Sequence, residues 1–161
     1  MVIRQATPVD IDLLVSLRLD FLREEFGDPT IDGMMPGLRE RLEAYFRKAL
    51  GEGFFAWVAE IDGRAVSSVY CVLDEHPASP ASPTGRVATL LNVYTDPPFR
   101  RRGIATRLLE AAVREAAQRG ADRVDLSATS AGRPLYEKMG FCASRYTAMR
   151  LDLPGRESPR G

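Results

Sequence analysis

Between residues 92 and 120 the chain reads NVYTDPPFRRRGIATRLLEAAVREAAQRG, with Arg100, Arg101 and Arg102 directly before Gly103 and the run Ile104, Ala105, Thr106. Such a turn is suited to holding an anion. Guanidinium groups bring charge and forked donors, and a glycine lets a phosphate approach the backbone closely. A helix that starts here leaves its first N–H groups unpartnered, with roughly half a positive charge on them. The chain holds neither the GxxxxGK[ST] arrangement nor GxGxxG, so the spacing belongs to a different phosphate cradle. Taken alone, these residues fit a solvated basic helix start equally well.

The flanking residues position the turn. Leu90, Leu91, Val93 and Tyr94 read as a buried strand, and Asp96, Pro97 and Pro98 end it, because proline has no N–H for a ladder. Ile104, Ala105, Leu108, Leu109, Ala112, Val113 and Ala116 recur at the helical period, with Arg107, Glu110, Arg114 and Gln118 on the opposite face and Gly120 as the stop. Strand, basic glycine turn and amphipathic helix therefore follow one another without a break.

Arg100-x-x-Gly103-x-Ala105 between a strand and a helix resembles the acyl-CoA pyrophosphate loop of the GCN5-related N-acetyltransferases (GNAT). ATSAGRPLYEKMGF at residues 128 to 141 is similar to that family's second signature, a short helix ending in Leu-Tyr-x-x-x-Gly-Phe. The two motifs span about residues 87 to 141. The resemblance implies an α/β fold whose mixed, mostly antiparallel central sheet is splayed at its middle and carries helices on both faces. It also implies an enzyme that passes the acetyl group of acetyl-CoA to a primary amine by direct attack in a ternary complex, with no metal.

On that resemblance Val93, Tyr94 and Thr95 present backbone groups to the amide-rich pantetheine arm as a neighbouring strand would, and one of their N–H groups polarises the thioester carbonyl. Arg100, Arg101, Arg102, Gly103, Ile104, Ala105 and Thr106 hold the pyrophosphate. Tyr136 supplies a phenol to the departing thiolate; as an arbitrary tyrosine it would read as a core ring with one satisfied hydroxyl. Three positions depart from the family pattern: Thr129 stands where an asparagine often contacts the CoA arm, Gly132 where alanine is expected, and Ala105 where a second glycine is commoner. A hydroxyl offers less than an amide, which both donates and accepts through separate atoms. The candidates for the base that deprotonates the amine are Glu24, Glu25, Asp28, Glu75, His76 and a water relay.

Charge bears on partners. With 22 basic and 22 acidic residues the formal net charge is zero, which argues against nucleic-acid binding. Residues 1 to 99 hold 9 Lys/Arg and 15 Asp/Glu, a balance of −6, and residues 100 to 161 hold 13 and 7, a balance of +6. Asp20, Glu24, Glu25, Asp28 and Asp32 cluster in the acidic half. They fit either a cleft for a cationic small-molecule amine or the solvated face of a helix. A non-catalytic acyl-CoA-binding module and an enzyme acting on a peptide or protein amine are the alternative readings, and a homodimer is compatible with either.

The remaining elements are conventional. Val2 and Ile3 begin a strand; Thr7-Pro8-x-Asp10 starts a helix that runs to about Glu25, with Ile11, Leu14, Leu17 and Phe21 inward. Residues 28 to 36 read as an irregular, mobile segment able to close over a substrate, before a second helix at about Leu38 to Leu50. Phe54 to Ile61 and Ala65 to Leu73 are strands joined by Asp62-Gly63, a strong hairpin signal. Val124 to Leu126 and Arg145 to Leu153 complete the strands; residues 76 to 86 read as a loop with nothing to pack. One domain over residues 1 to 153 and a disordered tail from 154 to 161 are expected, as are two buried free thiols, Cys71 and Cys142. No apolar run approaches the length of a membrane span and the amino terminus lacks a signal-peptide core, so a cytoplasmic protein with no membrane partner is expected.

Overall fold

Large apolar side chains, among them Leu14 in the first helix, Val69 in a central strand and Leu108 in a later helix, are almost fully enclosed. The sheet they pack on arises from alternating strands. The computed structural model of the chain describes residues 1–27 and 30–153. These fall into two compact units, divided between Ser127 and Ala128 and taken separately below.

In the first unit the strands are β1 (Val2–Gln5), β2 (Phe54–Ile61), β3 (Arg64–Glu75), β4 (Arg86–Thr95) and β5 (Arg123–Leu126). They lie side by side in chain order; the first four are antiparallel and β5 joins β4 in parallel. The helices are α1 (Ile11–Phe26), the single turn α2 (Ile31–Met34), α3 (Leu38–Ala49) and α4 (Ile104–Gln118). The second unit contains α5 (Arg133–Lys138). The fold is α/β, with a mixed, mostly antiparallel sheet.

Strand alternation sends side chains to both faces. Phe54, Ala56 and Val58 of β2 join Tyr70 and Tyr94 in a core built with Leu14, Val15, Leu17 and Leu19 of α1 and Phe46 of α3. One residue out of step, Phe55 has the Arg119 guanidinium 4.9 Å over its ring, at the end of α4. Helices therefore cover both faces. Asp62 and Gly63 both take positive φ, 52° and 76°, the two-residue turn that joins β2 to β3.

The splay has a defined origin. Val87 to Leu90 of β4 pair with Arg123 to Leu126 of β5, and the pairing stops there. From Leu91 to Thr95 the strand has β3 on one side and no strand on the other among the described residues.

Five expectations need correction. Residues 145 to 153 form no strand: their apolar alternation supplies a face but not a ladder partner, and Tyr146, Met149, Leu151 and Leu153 are exposed. Leu91 is 40 % exposed, because it lies where the strand loses its β5 neighbour. Cys142 is exposed, as it follows α5 in a stretch without regular structure; Cys71 is buried, and burial pushes its thiol up to about 12. Residues 76 to 85 are mostly exposed but anchored at one end, where Ser82 is buried and donates to Asp122 at 2.7 Å, and Thr84 reaches the same carboxylate at 2.8 Å. Within the segment read as irregular, residues 31 to 34 form α2, with Ile31 buried. Phe21 does pack against the core as expected, partly buried, while Leu19 lies deeper. The tail from 154 to 161 lies outside the described residues.

The entry to α1 is held by charge. Asp10 accepts two bonds from Arg4, both at 2.8 Å, and one from the Thr7 backbone N–H at 2.8 Å, closing a capping box. These bonds, led by that of the guanidinium, hold the Asp10 carboxyl at about 2. Because the folded value lies below the unfolded one, the contribution is present above about pH 4 and is lost as pH falls toward the folded value. Asp10→Asn is expected to lower stability at pH 7 by roughly 2 kcal/mol and to flatten the acid limb of the stability profile, as read by urea unfolding between pH 2 and 7. An unchanged acid limb would remove the Arg4–Asp10 pair from that role.

Candidate functional site

The open half of β4 begins with a bulge. Ser68 faces Tyr94 and Tyr70 faces Leu91, so two residues of β4, Asn92 and Val93, oppose the single Val69 of β3. Asn92 takes φ 50°, a left-handed conformation that asparagine tolerates better than most side chains. Its amide is 3 % exposed, donates to the Ser68 hydroxyl at 3.0 Å and accepts from Arg18 of α1 at 3.4 Å. Beyond the bulge, Ser67 donates to the Tyr94 carbonyl at 2.6 Å and lies 2.7 Å from the Thr95 hydroxyl. The far end of β4 is thus fastened to β3 by side chains as well as by the ladder.

Residues 93 to 95, assigned to the acyl-CoA arm, lie on this open half. Val93 and Thr95 are half-buried and Tyr94 is buried, its phenol pushed up to about 12 chiefly by burial. The Thr95 carbonyl is already taken by Arg100 Nε at 2.7 Å.

A short turn, Pro97–Phe99, leads into the basic segment. Arg100 also bonds Glu24 of α1 and lies 6.0 Å over the Tyr94 ring. Arg102 donates to the Pro98 carbonyl at 3.0 Å and lies 5.4 Å over the Phe99 ring. Both brace the loop. Arg101 has no side-chain partner among the described residues, and its exposed guanidinium is the one of the three left free for an anion.

The loop backbone supports the same reading. Arg101 and Gly103 take φ 62° and 74° with Arg102 at negative φ between them, an alternation that turns successive N–H groups toward a common point. A Cβ added at Gly103 would meet no atom within 4 Å, so space lies before the helix N-terminus. The first intrahelical bond runs from Arg107 to the Gly103 carbonyl at 3.2 Å, which leaves the N–H groups of Ile104, Ala105 and Thr106 without helical acceptors. Buried Ile104 roots this end of α4 in the core. The unpaired N–H groups, the free guanidinium and the open space fit a pyrophosphate.

In the second unit, Thr129 accepts the Gly132 N–H at 3.1 Å through its hydroxyl, and its carbonyl accepts the Arg133 N–H at 3.0 Å. The threonine therefore closes the turn that leads into α5. Tyr136 packs edge-on to Phe141 with ring centroids 6.0 Å apart, and burial raises its phenol above the ordinary value. A Cβ at Gly132 would lie 3.2 Å from the Tyr136 ring and 3.3 Å from the Thr129 hydroxyl. Glycine in place of the expected alanine therefore makes room for the two groups singled out from the sequence.

The base candidates are differently placed. Glu24 is tied to Arg100; Glu25 and His76 are exposed; Glu75, also exposed, lies 3.4 Å from Arg86. Asp20, in the same acidic cluster, is paired with Arg23 at 2.8 Å. Asp28 and the Asp32 side chain lie outside what the structure describes. The bulge residue Asn92 and its partner Arg18 were not singled out from the sequence. An asparagine inside an apolar strand was the available signal.

A family model described as "Acetyltransferase (GNAT) family" matches residues 19–141. A search of curated proteins found no match. Among solved structures, a predicted acetyltransferase with acetyl-CoA from Clostridium acetobutylicum is 32 % identical, covers 98 % of this chain and 99 % of its own, and superposes with a TM-score of 0.84. A GCN5-related N-acetyltransferase from Ralstonia eutropha JMP134 is 29 % identical over 93 % of this chain and 97 % of its own, with a TM-score of 0.77. An aminoglycoside acetyltransferase from an uncultured soil metagenomic sample shares the fold at 23 % identity, covering 96 % of this chain and 98 % of its own, with a TM-score of 0.71.

The bulge should be sensitive to backbone chemistry at residue 92. Asn92→Val forces a branched side chain into the left-handed region and strips two hydrogen bonds, with an expected cost of about 2 to 4 kcal/mol in denaturant unfolding. Asn92→Gly, which relieves the backbone, should cost less. Equal losses in the two variants would contradict a bulge held by conformation.

Proposed function

The chain belongs to the acetyltransferase (GNAT) family, and on that premise we propose that it carries the acetyl group of acetyl-CoA to a primary amine of a small molecule by direct attack in a ternary complex. The observation that carries the reading is the phosphate cradle: left-handed Arg101 and Gly103, free N–H groups at the start of α4, and open space before them.

Acetyl-CoA brings a thioester whose carbonyl accepts a nucleophile and whose sulfur departs as a thiolate. In this reading the backbone N–H groups of residues 101 to 106 and the Arg101 guanidinium bind the pyrophosphate, while Arg100 and Arg102 hold the loop in shape. The open edge at Val93, Tyr94 and Thr95 binds the pantetheine amides, with Thr95 contributing its N–H rather than its occupied carbonyl. Thr129 keeps a hydroxyl proton to donate, since its oxygen accepts from Gly132. Tyr136, raised by burial, stays protonated at neutral pH and delivers its proton to the thiolate. Glu24 is occupied by Arg100 and Glu75 lies beside Arg86, so proton removal from the amine is left to a water relay or to Glu25, Asp28 or His76.

Coenzyme A titration tests the cradle. Bound at about 100 times its dissociation constant, acetyl-CoA should stabilise the fold by about 2.7 kcal/mol. Gly103→Val would confound the test by straining a residue at φ 74°. Gly103→Asn tolerates that conformation and still places a side chain before the N–H groups, so it should fold normally and lose CoA affinity. Unchanged affinity in this variant would refute the cradle.

Tyr136→Phe separates catalysis from structure. If the phenol protonates the thiolate, kcat in acetyl-CoA-dependent thiol release falls on the order of 10² with CoA affinity retained. Full turnover with a lowered melting temperature would assign Tyr136 to packing. CoA binding without thiol release across a broad amine panel would support a non-catalytic binding module instead.

A further inference from the structure

We infer that Arg18 selects the acceptor by binding a carboxylate carried on the amine substrate; the inference rests on the acetyl-transfer reading above and names the substrate class for it. Arg18 is half-buried on α1 and meets the β4 bulge through Asn92, one residue before the strand edge assigned to the thioester. Two further contacts bring α1 to the same region: Glu24 bonds Arg100, and Leu14 accepts the buried Tyr70 hydroxyl from β3.

The side chain is poorly compensated. A guanidinium has five N–H donors, yet the partners of Arg18 are one long bond of 3.4 Å to the Asn92 amide oxygen and the face of Phe21 at 5.2 Å. No carboxylate lies within 4.0 Å of it among the described residues. Neighbouring acids are engaged elsewhere, Asp20 with Arg23 and Glu24 with Arg100, while exposed Glu25, two turns along the helix, acts on Arg18 at longer range. Burial lowers the Arg18 pKa from its ordinary value, yet the group remains a cation because arginine does not deprotonate in proteins.

A partly desolvated cation with spare donors favours an oxyanion, and the forked geometry of arginine matches a carboxylate in two parallel bonds. Its position on the bulge puts that preference at the acceptor rather than at the phosphate loop, where Arg101 is free. The acceptor that fits is an amine bearing a carboxylate, such as an amino acid or a short peptide. A polyamine brings only further positive charge to Arg18. This narrows the expectation of a cationic acceptor drawn by the acids of α1, of which Asp20 and Glu24 are already neutralised by arginine.

The test compares amines that differ in the carboxylate alone. With acetyl-CoA, kcat/KM is measured for a panel of amino acids, their methyl esters and a polyamine on wild type, Arg18→Lys and Arg18→Gln, with melting temperatures recorded. Wild type should favour the free acids by roughly 10- to 100-fold. Arg18→Gln should erase the preference through KM, lowering kcat/KM for the free acids far more than for the esters, and Arg18→Lys should keep part of it. Esters and polyamine turned over as well as the acids by wild type, or an unchanged preference in a folded Arg18→Gln variant, would overturn the inference and leave acetyl transfer standing. Calorimetry with the N-acetylated amino acids needs no turnover. Tighter binding of the acid than of its ester, lost in Arg18→Gln, supports the site even if no amine of the panel is acetylated, which is the result that would sink the acetyl-transfer reading. Equal binding of acid and ester overturns the Arg18 inference.

Discussion

Past Leu90, β4 must keep its course with a ladder on one side only, and the rest of the candidate site depends on how that half-strand is held. Unpaired backbone in water has no reason to stay extended. Here three devices keep it so: the left-handed bulge at Asn92 with its buried amide, the Ser67 hydroxyl between the Tyr94 carbonyl and the Thr95 side chain, and Arg100 reaching back to the Thr95 carbonyl. Each replaces part of what a paired strand would provide. The edge that remains is held by these bonds and still has hydrogen bonds to give, which is what an amide-bearing ligand requires.

The same constraint organises the charges. Arg100 does not simply add to a basic patch; with Glu24 it ties the end of α1 to the entrance of the phosphate loop. Arg102 folds back on Phe99 and the Pro98 carbonyl. With two of three arginines spent on shape, what the loop still has to offer an anion is the Arg101 guanidinium and the backbone N–H groups at the start of α4. That division suits a loop that must present N–H groups in fixed positions, since a free guanidinium can follow its ligand whereas a backbone cannot.

Much of this was legible in the sequence. Helical and strand periodicities located every helix of three or more turns and the hairpin at Asp62-Gly63, because those patterns report burial directly. The arginine-glycine turn and the Leu-Tyr-x-x-x-Gly-Phe segment carried the family resemblance. What stayed hidden depends on partners far apart in the chain. Arg18 meets Asn92 across 74 positions, Glu24 meets Arg100 across 76, and Ser82 meets Asp122 across 40. No local pattern encodes such pairs. The alternation at residues 145 to 153 misled for the converse reason, as a pattern fit for a strand does not make a neighbour for it.

The central claim is that the N–H groups of residues 101 to 106 and the open edge at 93 to 95 receive the acyl-CoA. Amide resonances of labelled protein, followed by NMR during titration with coenzyme A, test it most directly. The account predicts that the amides of residues 101 to 106 shift most and that those of 93 to 95 shift with them and gain protection from hydrogen exchange. Binding of coenzyme A that leaves both sets of amides unmoved would contradict it.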